Sequence, residues 1–190
     1  LNYTIPSKVQ EEVIPRLLKK EDVIVKSKTG SGKTASFGIP ICENIDIENN
    51  NVQALIVVPT RELALQVKDE IYNIGRLKKI RCSAIFGKQP IKEQIRELKQ
   101  RVHIVVATPG RIIDHIGRNT IDLDDIKKNC KLKEFEKGKI VVLKENNITS
   151  MYLHCKGEMK VRNEFENGFV YDFAVIKPIS YIGAMEIMAN

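Results

Sequence analysis

The residues with the clearest chemistry run Ser27-Lys28-Thr29-Gly30-Ser31-Gly32-Lys33-Thr34. Gly30 and Gly32 let backbone N–H groups turn inward around an oxyanion without a side-chain clash. A helix opening at Lys33 adds the partial positive charge of its N-terminus. In such a phosphate loop Lys33 reaches the β- and γ-phosphates of a nucleotide and the Thr34 hydroxyl binds Mg²⁺. The usual pattern has Gly or Ala where Ser27 stands, a departure of one small residue. The competing reading is a Gly/Ser-rich turn with a solvated lysine. An apolar run before the loop, Val23–Val25, and a helical pattern after it favour the phosphate loop.

Such a loop needs a strand to lead into it and a helix to follow. Strand-length apolar runs, rich in β-branched residues, occur at Val23–Val25, Ala54–Val58, Ala84–Phe86 and Ile104–Val106. Helical patterns lie between them at Ser7–Lys19, Lys33 to about Ile45, Arg61–Ile74 and Pro90–Gln100. Leu63, Val67, Ile71 and Ile74 form an apolar stripe with charges opposite. Alternation of this kind predicts an α/β fold with a parallel sheet covered on both faces. After about residue 130 the pattern changes to strands at Lys139–Leu143, Met151–Cys155, Glu158–Phe165 and Phe169–Ile176. Turn signals separate them at Glu145-Asn146-Asn147, Lys156-Gly157 and Glu166-Asn167-Gly168, which predicts an antiparallel β-roll segment.

Several segments of the first piece together resemble DEAD-box RNA helicases. Asn2-Tyr3-Thr4-Ile5-Pro6-Ser7-Lys8-Val9-Gln10 is similar to that family's adenine-sensing Q motif. Pro59-Thr60-Arg61-Glu62-Leu63-Ala64 is similar to motif Ia, and Thr108-Pro109-Gly110-Arg111 to motif Ib. With the phosphate loop they stand in the family's order over residues 1–128. The resemblance implies a truncated N-terminal RecA-like domain with ATP and Mg²⁺ as cofactors. It implies ATP binding by Gln10, Thr29, Gly30, Ser31, Gly32, Lys33 and Thr34, with Gln10 reading the adenine edge and Thr34 on the metal. It further implies that Thr60, Arg61, Gly87, Thr108, Gly110 and Arg111 bind the sugar-phosphate backbone of RNA. Taken singly, Gln10 or Thr60 reads as a helix cap or surface residue.

The chain also departs from that family. Gly87-Lys88 stands where the family has Gly-Gly, and the added lysine could still meet phosphate. No Asp-Glu-Ala-Asp follows motif Ib; the segment Ile121-Asp122-Leu123-Asp124-Asp125-Ile126-Lys127 leads into Lys128-Asn129-Cys130-Lys131 instead. In the family those acids hold Mg²⁺ and position the attacking water. Asp122, Asp124 and Asp125 read as a polar turn or helix cap, and Glu145 lies in the β-rich piece. The expectation is therefore nucleotide binding with no catalytic residue for hydrolysis. Neither the Ser-Ala-Thr motif nor a second RecA-like domain is recognisable in these residues. His103 and His115 receive no catalytic role.

The chain has 190 residues and a net charge of +7, with 22 Lys/Arg against 16 Asp/Glu in residues 1–130 and 9 against 8 in residues 131–190. The basic excess points to an anionic partner and not to a fold. Lys78, Lys79, Arg81, Lys88, Lys92, Lys99 and Arg101 could widen a nucleic-acid face, though basic clusters are more often solvated helix faces. Cys42, Cys82, Cys130 and Cys155 are scattered without metal-ligand spacing, which suits reduced thiols in a cytoplasmic protein. No apolar run has membrane-span length and no basic-then-apolar leader opens the chain, so neither membrane nor export is expected. A start at Leu1 in place of Met makes a fragment the expectation.

Residues 131–190 resemble the start of the cyclic-nucleotide-binding β-roll of the cyclic-AMP receptor protein family. The resemblance runs through Phe135-Glu136-Lys137-Gly138-Lys139-Ile140-Val141, Met151-Tyr152-Leu153, Lys156-Gly157-Glu158-Met159-Lys160-Val161 and Ile182-Gly183-Ala184-Met185-Glu186. Ala184 replaces the cassette's usual Glu, so a structural fragment is favoured over a working sensor. The alternatives to the helicase reading are thus an effector-sensing transcription-regulator fragment and a non-functional fused remnant.

Overall fold

The computed structural model describes residues 5–127, 136–138, 152–154, 157–164, 169–176 and 180–182. The chain divides into two units, Leu1–Leu132 and Lys133–Asn190. In the first, the described helices are α1 (Lys8–Leu18), α2 (Lys33–Asn44), α3 (Arg61–Gly75), α4 (Ile91–Leu98), α5 (Pro109–Gly117) and the short α6 (Asp124–Lys127). Strands β1 (Ala54–Val57), β2 (Cys82–Ile85) and β3 (Ile104–Ala107) form a parallel sheet in the order β1-β3-β2. Their register aligns Val57 with Ala107 and Ala107 with Ile85, so all three strands end level.

The core follows from the alternation of side chains along β3. Ile104 and Val106 pack on one face with Val67 and Ile71 of α3 and Cys42 of α2. Val105 and Ala107 pack on the other with Ile112 of α5 and Leu123. All four β3 residues are fully buried. That is the expected signature of a central parallel strand covered on both faces. Cys42 is buried and Cys82 half-buried, both as free thiols, and desolvation raises their pKa to about 11 and about 12. Cys130 and Cys155 lie outside the described residues.

One expected strand is not formed. Val23–Val25 is irregular, and Ile24 is 56% exposed. Apolar, β-branched composition favours a strand only where a neighbour supplies the ladder, and none of the described strands pairs with this segment. A pocket of about 700 Å³ lies between it and α1, walled by Val9, Val13, Val23 and Val25.

In the second unit the described strands are β4 (Tyr152–His154), β5 (Met159–Glu164), β6 (Val170–Ile176) and β7 (Ser180–Ile182). β5 pairs antiparallel with β6, with a register shift between Val161 and Arg162, and β4 pairs antiparallel with β7. The strand at Lys139–Leu143, the Asn167-Gly168 turn, Glu145 and the segment Gly183–Glu186 lie outside the described residues.

Candidate nucleotide and nucleic-acid sites

The phosphate loop is built by two left-handed glycines, Gly30 at φ +80° and Gly32 at φ +86°, the latter capping α2. Its departure from the usual pattern has a structural use: the Ser27 and Ser31 hydroxyls hydrogen-bond across the loop at 2.7 Å. Lys33 folds over the turn, and its Nζ donates to the carbonyls of Ser27 and Lys28, both at 2.6 Å. These are short, charge-assisted bonds. They put the lysine's charge over the carbonyl side of the loop.

Gln10 is buried against this loop. Its Oε1 accepts the Ser7 N–H at 2.9 Å, which satisfies an orphan donor at the start of α1. Its Nε2 donates to the Gly32 carbonyl at 3.3 Å, and the Ser7 hydroxyl donates to the Ser31 carbonyl at 2.8 Å. A side chain at Gly32 would collide with the Gln10 amide. Ser7 was not singled out by sequence reasoning, although Ser7-x-x-Gln10 carries the spacing of a capping box. The 700 Å³ pocket touches the loop at Ser27 and Ser31 but not at Gln10, Lys33 or Thr34. It is therefore not where the loop's chemistry converges.

A second group of residues gathers where the parallel strands end. Open parallel sheets bind ligands at their C-terminal edge, where loops and helix N-termini converge. The chain leaves β1 into Thr60, the N-cap of α3, whose hydroxyl oxygen accepts the Leu63 N–H at 3.2 Å. It leaves β3 into Thr108, the N-cap of α5, whose N–H donates to the Ile85 carbonyl at 2.9 Å. Pro109 suits the first turn of that helix. It leaves β2 into Phe86 and Gly87. Arg61 stacks over the Phe86 ring at 5.0 Å, a cation–π contact. Thr60, Arg61, Gly87, Thr108, Gly110 and Arg111 are thereby brought to one edge.

Beneath that edge lies a buried polar cluster that the sequence did not disclose. Gln94 of α4 is fully buried. Its Nε2 donates to the Phe86 carbonyl and to Gln89 Oε1, both at 2.9 Å. Its Oε1 accepts from Arg111 Nη1 and His115 Nε2, both at 3.1 Å. Both amide protons and both oxygen lone pairs of Gln94 are thus used. Arg111 Nη1 also donates to the Gln89 carbonyl at 3.0 Å. His115 Nε2 faces the Gln94 oxygen, and its Nδ1 lies 2.8 Å from the Thr120 hydroxyl, which also donates to the His115 carbonyl at 3.1 Å. Desolvation, then the Arg111 charge, lowers the His115 pKa. His103 is also buried, accepts the Arg81 N–H at Nδ1 (3.1 Å), and has its pKa lowered by desolvation and then by Arg81.

The other candidates sit elsewhere. Asp122 accepts the Asp124 N–H at 2.9 Å, as a polar turn ahead of α6 does, and Asp125 in α6 accepts from the Asn49 and Asn51 side chains at 2.9 and 3.3 Å, a tie to the segment before β1. The basic residues between 78 and 101 do not share one face. Lys78 donates to the Cys42 and Glu43 carbonyls at 3.1 and 2.6 Å, closing the C-terminus of α2. Arg81 and Arg101 precede β2 and β3 and so lie at the opposite sheet edge from motifs Ia and Ib. Lys88 follows β2 and lies on the motif side.

A three-layer parallel α/β domain, with a phosphate-type turn ahead of a helix and cationic loops at the strand ends, is the class this arrangement defines. The family model for DEAD/DEAH box helicases matches residues 7–151, and the chain belongs to that family. It is 59% identical over 124 residues to the ATP-dependent RNA helicase DbpA of Bacillus subtilis, covering 65% of this chain and 26% of that protein. It is 50% identical over 125 residues to the ATP-dependent RNA helicase CshA of Limosilactobacillus reuteri, covering 66% and 25%. Among solved structures, a DEAD box protein from Methanococcus jannaschii superposes with a TM-score of 0.60 at 46% identity, over 63% of this chain and 33% of that one. The chain spans about a quarter of the length of the curated relatives it matches. The first unit has the α/β fold of the family's N-terminal RecA-like domain. These matches give no support to the cyclic-nucleotide reading of residues 131–190.

Proposed function

We propose that the chain binds ATP or ADP with Mg²⁺ through Thr29–Thr34 and Gln10, and RNA through Thr60, Arg61, Gly87, Thr108, Gly110 and Arg111. It would serve as the ATP- and RNA-binding part of a DEAD-box ATP-dependent RNA helicase. The observation that supports this most is the bond between Gln10 and Gly32, which joins the adenine-sensing motif to the phosphate loop. The Gln10 amide keeps one N–H and one lone pair for a purine edge. The loop's two carbonyl acceptors hold Lys33 in place, and a phosphate would exchange them for its own oxygens.

The metal fits as cargo of the nucleotide. Among the described residues no cluster of three or more His, Cys, Asp or Glu is placed to cage an ion. The Thr34 hydroxyl is a single hard oxygen, and Mg²⁺ commonly takes one or two protein ligands and completes its shell with phosphates and water. When bound, the ion would neutralise charge on the phosphates. The acids that would hold its far side are absent from the expected place, so hydrolysis is not part of the proposal.

At the RNA edge, helix N-termini and guanidinium groups suit phosphates and sugars, which set position without reading sequence. The antiparallel pairs of the second unit are compatible with a partial β-roll, and we assign them no ligand. Isothermal titration of Mg-ADP into the chain and into Lys33→Ala tests the central reading: heat from the first and none from the second is expected. Equal heats would remove the phosphate-loop assignment.

A further inference from the structure

Gln94 stands where the pattern of α4 asks for an apolar residue. Ile91, Ile95 and Leu98 share its side of the helix and are half-buried, while Gln94 is fully buried. An amide in such a place is costly unless each of its polar groups finds a partner. Two of its partners, the Phe86 carbonyl and Gln89 Oε1, lie on the loop after β2. The other two, Arg111 Nη1 and His115 Nε2, lie on α5. A flipped amide would set its NH2 group against the Arg111 guanidinium and its oxygen against the Phe86 carbonyl. The network therefore admits one orientation.

The half-buried Arg111 is held by one nitrogen alone. Both hydrogens of Nη1 are engaged, one by the Gln89 carbonyl at 3.0 Å and one by Gln94 Oε1 at 3.1 Å. Among the described residues, no hydrogen bond or ion pair engages its Nε or Nη2. The nearby carboxylate of Asp114 is taken by Arg118 Nε at 2.6 Å. Arg111 is thus anchored by neutral groups, which fix it without cancelling its charge. A guanidinium keeps a planar fork of donors on its remaining side, the geometry that meets a phosphate bidentately. Fixing that fork before the ligand arrives lowers the ordering cost of binding.

We infer that Gln94 is the positioning residue for Arg111, a buried neutral amide that holds Nη1 from within and so reserves Nε and Nη2 for a phosphate of the RNA backbone. This rests on the RNA-binding reading of Arg111 above. Gln94 is fully buried, touches no ligand, and acts only through the arginine.

The test is fluorescence anisotropy of a labelled oligouridylate with the whole chain across roughly 50–200 mM salt, where each phosphate contact on a single strand contributes a slope of about 0.7 in log K against log salt. All variants are measured below their melting transitions. Arg111→Ala should weaken binding several-fold and reduce the slope by about 0.7. Gln94→Met fills the same space without the hydrogen bonds. It should lose the same slope although Arg111 is present, and should lose no more slope when combined with Arg111→Ala. A merely structural Gln94 would lower the melting temperature and leave the slope of the folded chain unchanged. Arg111→Lys makes the same test without disturbing the buried amide. A lysine has a single nitrogen, so an ammonium that takes the inner partners presents no second edge. The slope should therefore fall as in Arg111→Ala even though the charge is kept. Full slope in Gln94→Met or in Arg111→Lys overturns the inference and leaves RNA binding intact. An unchanged slope in Arg111→Ala, or failure of the unmodified chain to bind at low salt, overturns the RNA reading of Arg111 and this inference with it.

Discussion

Replacing Gln10 with alanine separates its two jobs. The amide accepts from the Ser7 N–H and donates to the Gly32 carbonyl, and the side chain is 7% exposed. The Gly32 carbonyl keeps a second partner, since it also accepts the Ser36 N–H at 3.1 Å. The Ser7 N–H has no such reserve and is left without its acceptor at a helix start. Losing a cap costs about 1 kcal/mol, and losing a second hydrogen bond in a part-buried site costs about 1 kcal/mol more. A deficit of about 2 kcal/mol should lower the melting temperature by roughly 5–10 °C for a unit of this size. Mg-ADP should then stabilise the variant less than it does the unmodified chain, because binding to the folded state raises stability by mass action. Circular-dichroism melts with Mg-ADP and with Mg-GDP read both effects. Gln10→Glu keeps the acceptor for Ser7 but turns the donor facing the Gly32 carbonyl into an acceptor, so it should recover at most about half of the lost stability and none of the adenine preference. A Gln10→Ala chain that melts like the original and still prefers ADP over GDP would refute the reasoning.

RNA binding should be indifferent to sequence and should fall steeply with salt, because the contacts go to phosphates; equal affinity at low and moderate salt would contradict it. The 190-residue chain should show no RNA-stimulated ATPase in a phosphate-release assay, since Lys33 and Thr34 supply only the phosphate side of the site. Turnover abolished by Lys33→Ala would mean that another carboxylate supplies the missing function. Stability should also depend on pH through His103 and His115, whose folded pKa values are lowered from 6.5. Below pH 6.5 the unfolded chain takes up protons that the folded chain resists, so stability is full above that value and declines as pH falls towards the lowered pKa. Denaturant titrations at pH 7.5 and 5.5 test the sign, and a midpoint that rises on acidification would oppose it.

Much of the first unit could be read from residue order. β1 falls within its expected apolar run and β3 runs one residue past its own, to Ala107. β2 (Cys82–Ile85) begins ahead of the expected Ala84–Phe86 run because it includes Cys82 and Ser83, and α3 has an uninterrupted stripe at Leu63, Val67 and Ile71. Such signals are local. Val23–Val25 carries the same composition and forms no strand, because a strand needs a neighbour and composition cannot supply one. The Gln94 cluster was illegible for a related reason. In sequence, Gln94 stands on a helix between Lys92, Glu93 and Arg96 and looks like part of a solvated face. Only the packing of α4 against β2 shows that its amide is buried and fully bonded. Gln10 and Arg61 were legible as motif members, but their partners Gly32 and Phe86 are contacts that a linear pattern does not state.

The unpaired Val23–Val25 segment also bears on how the protein behaves in concentrated solution. An apolar stretch that pairs with none of the described strands offers a template to which another chain's strand can add, the usual start of edge-to-edge association. Here the stretch is only three residues, shorter than the roughly five-to-seven-residue windows that drive such association. Glu21 and Asp22 stand on one side of it and Lys26 and Lys28 on the other, all four exposed. Flanking charges of both signs act as gatekeepers, because a second copy laid alongside in parallel register would set like charge against like. Neutralising those four residues together would remove this charge protection and leave the shortness of the segment as what opposes such association.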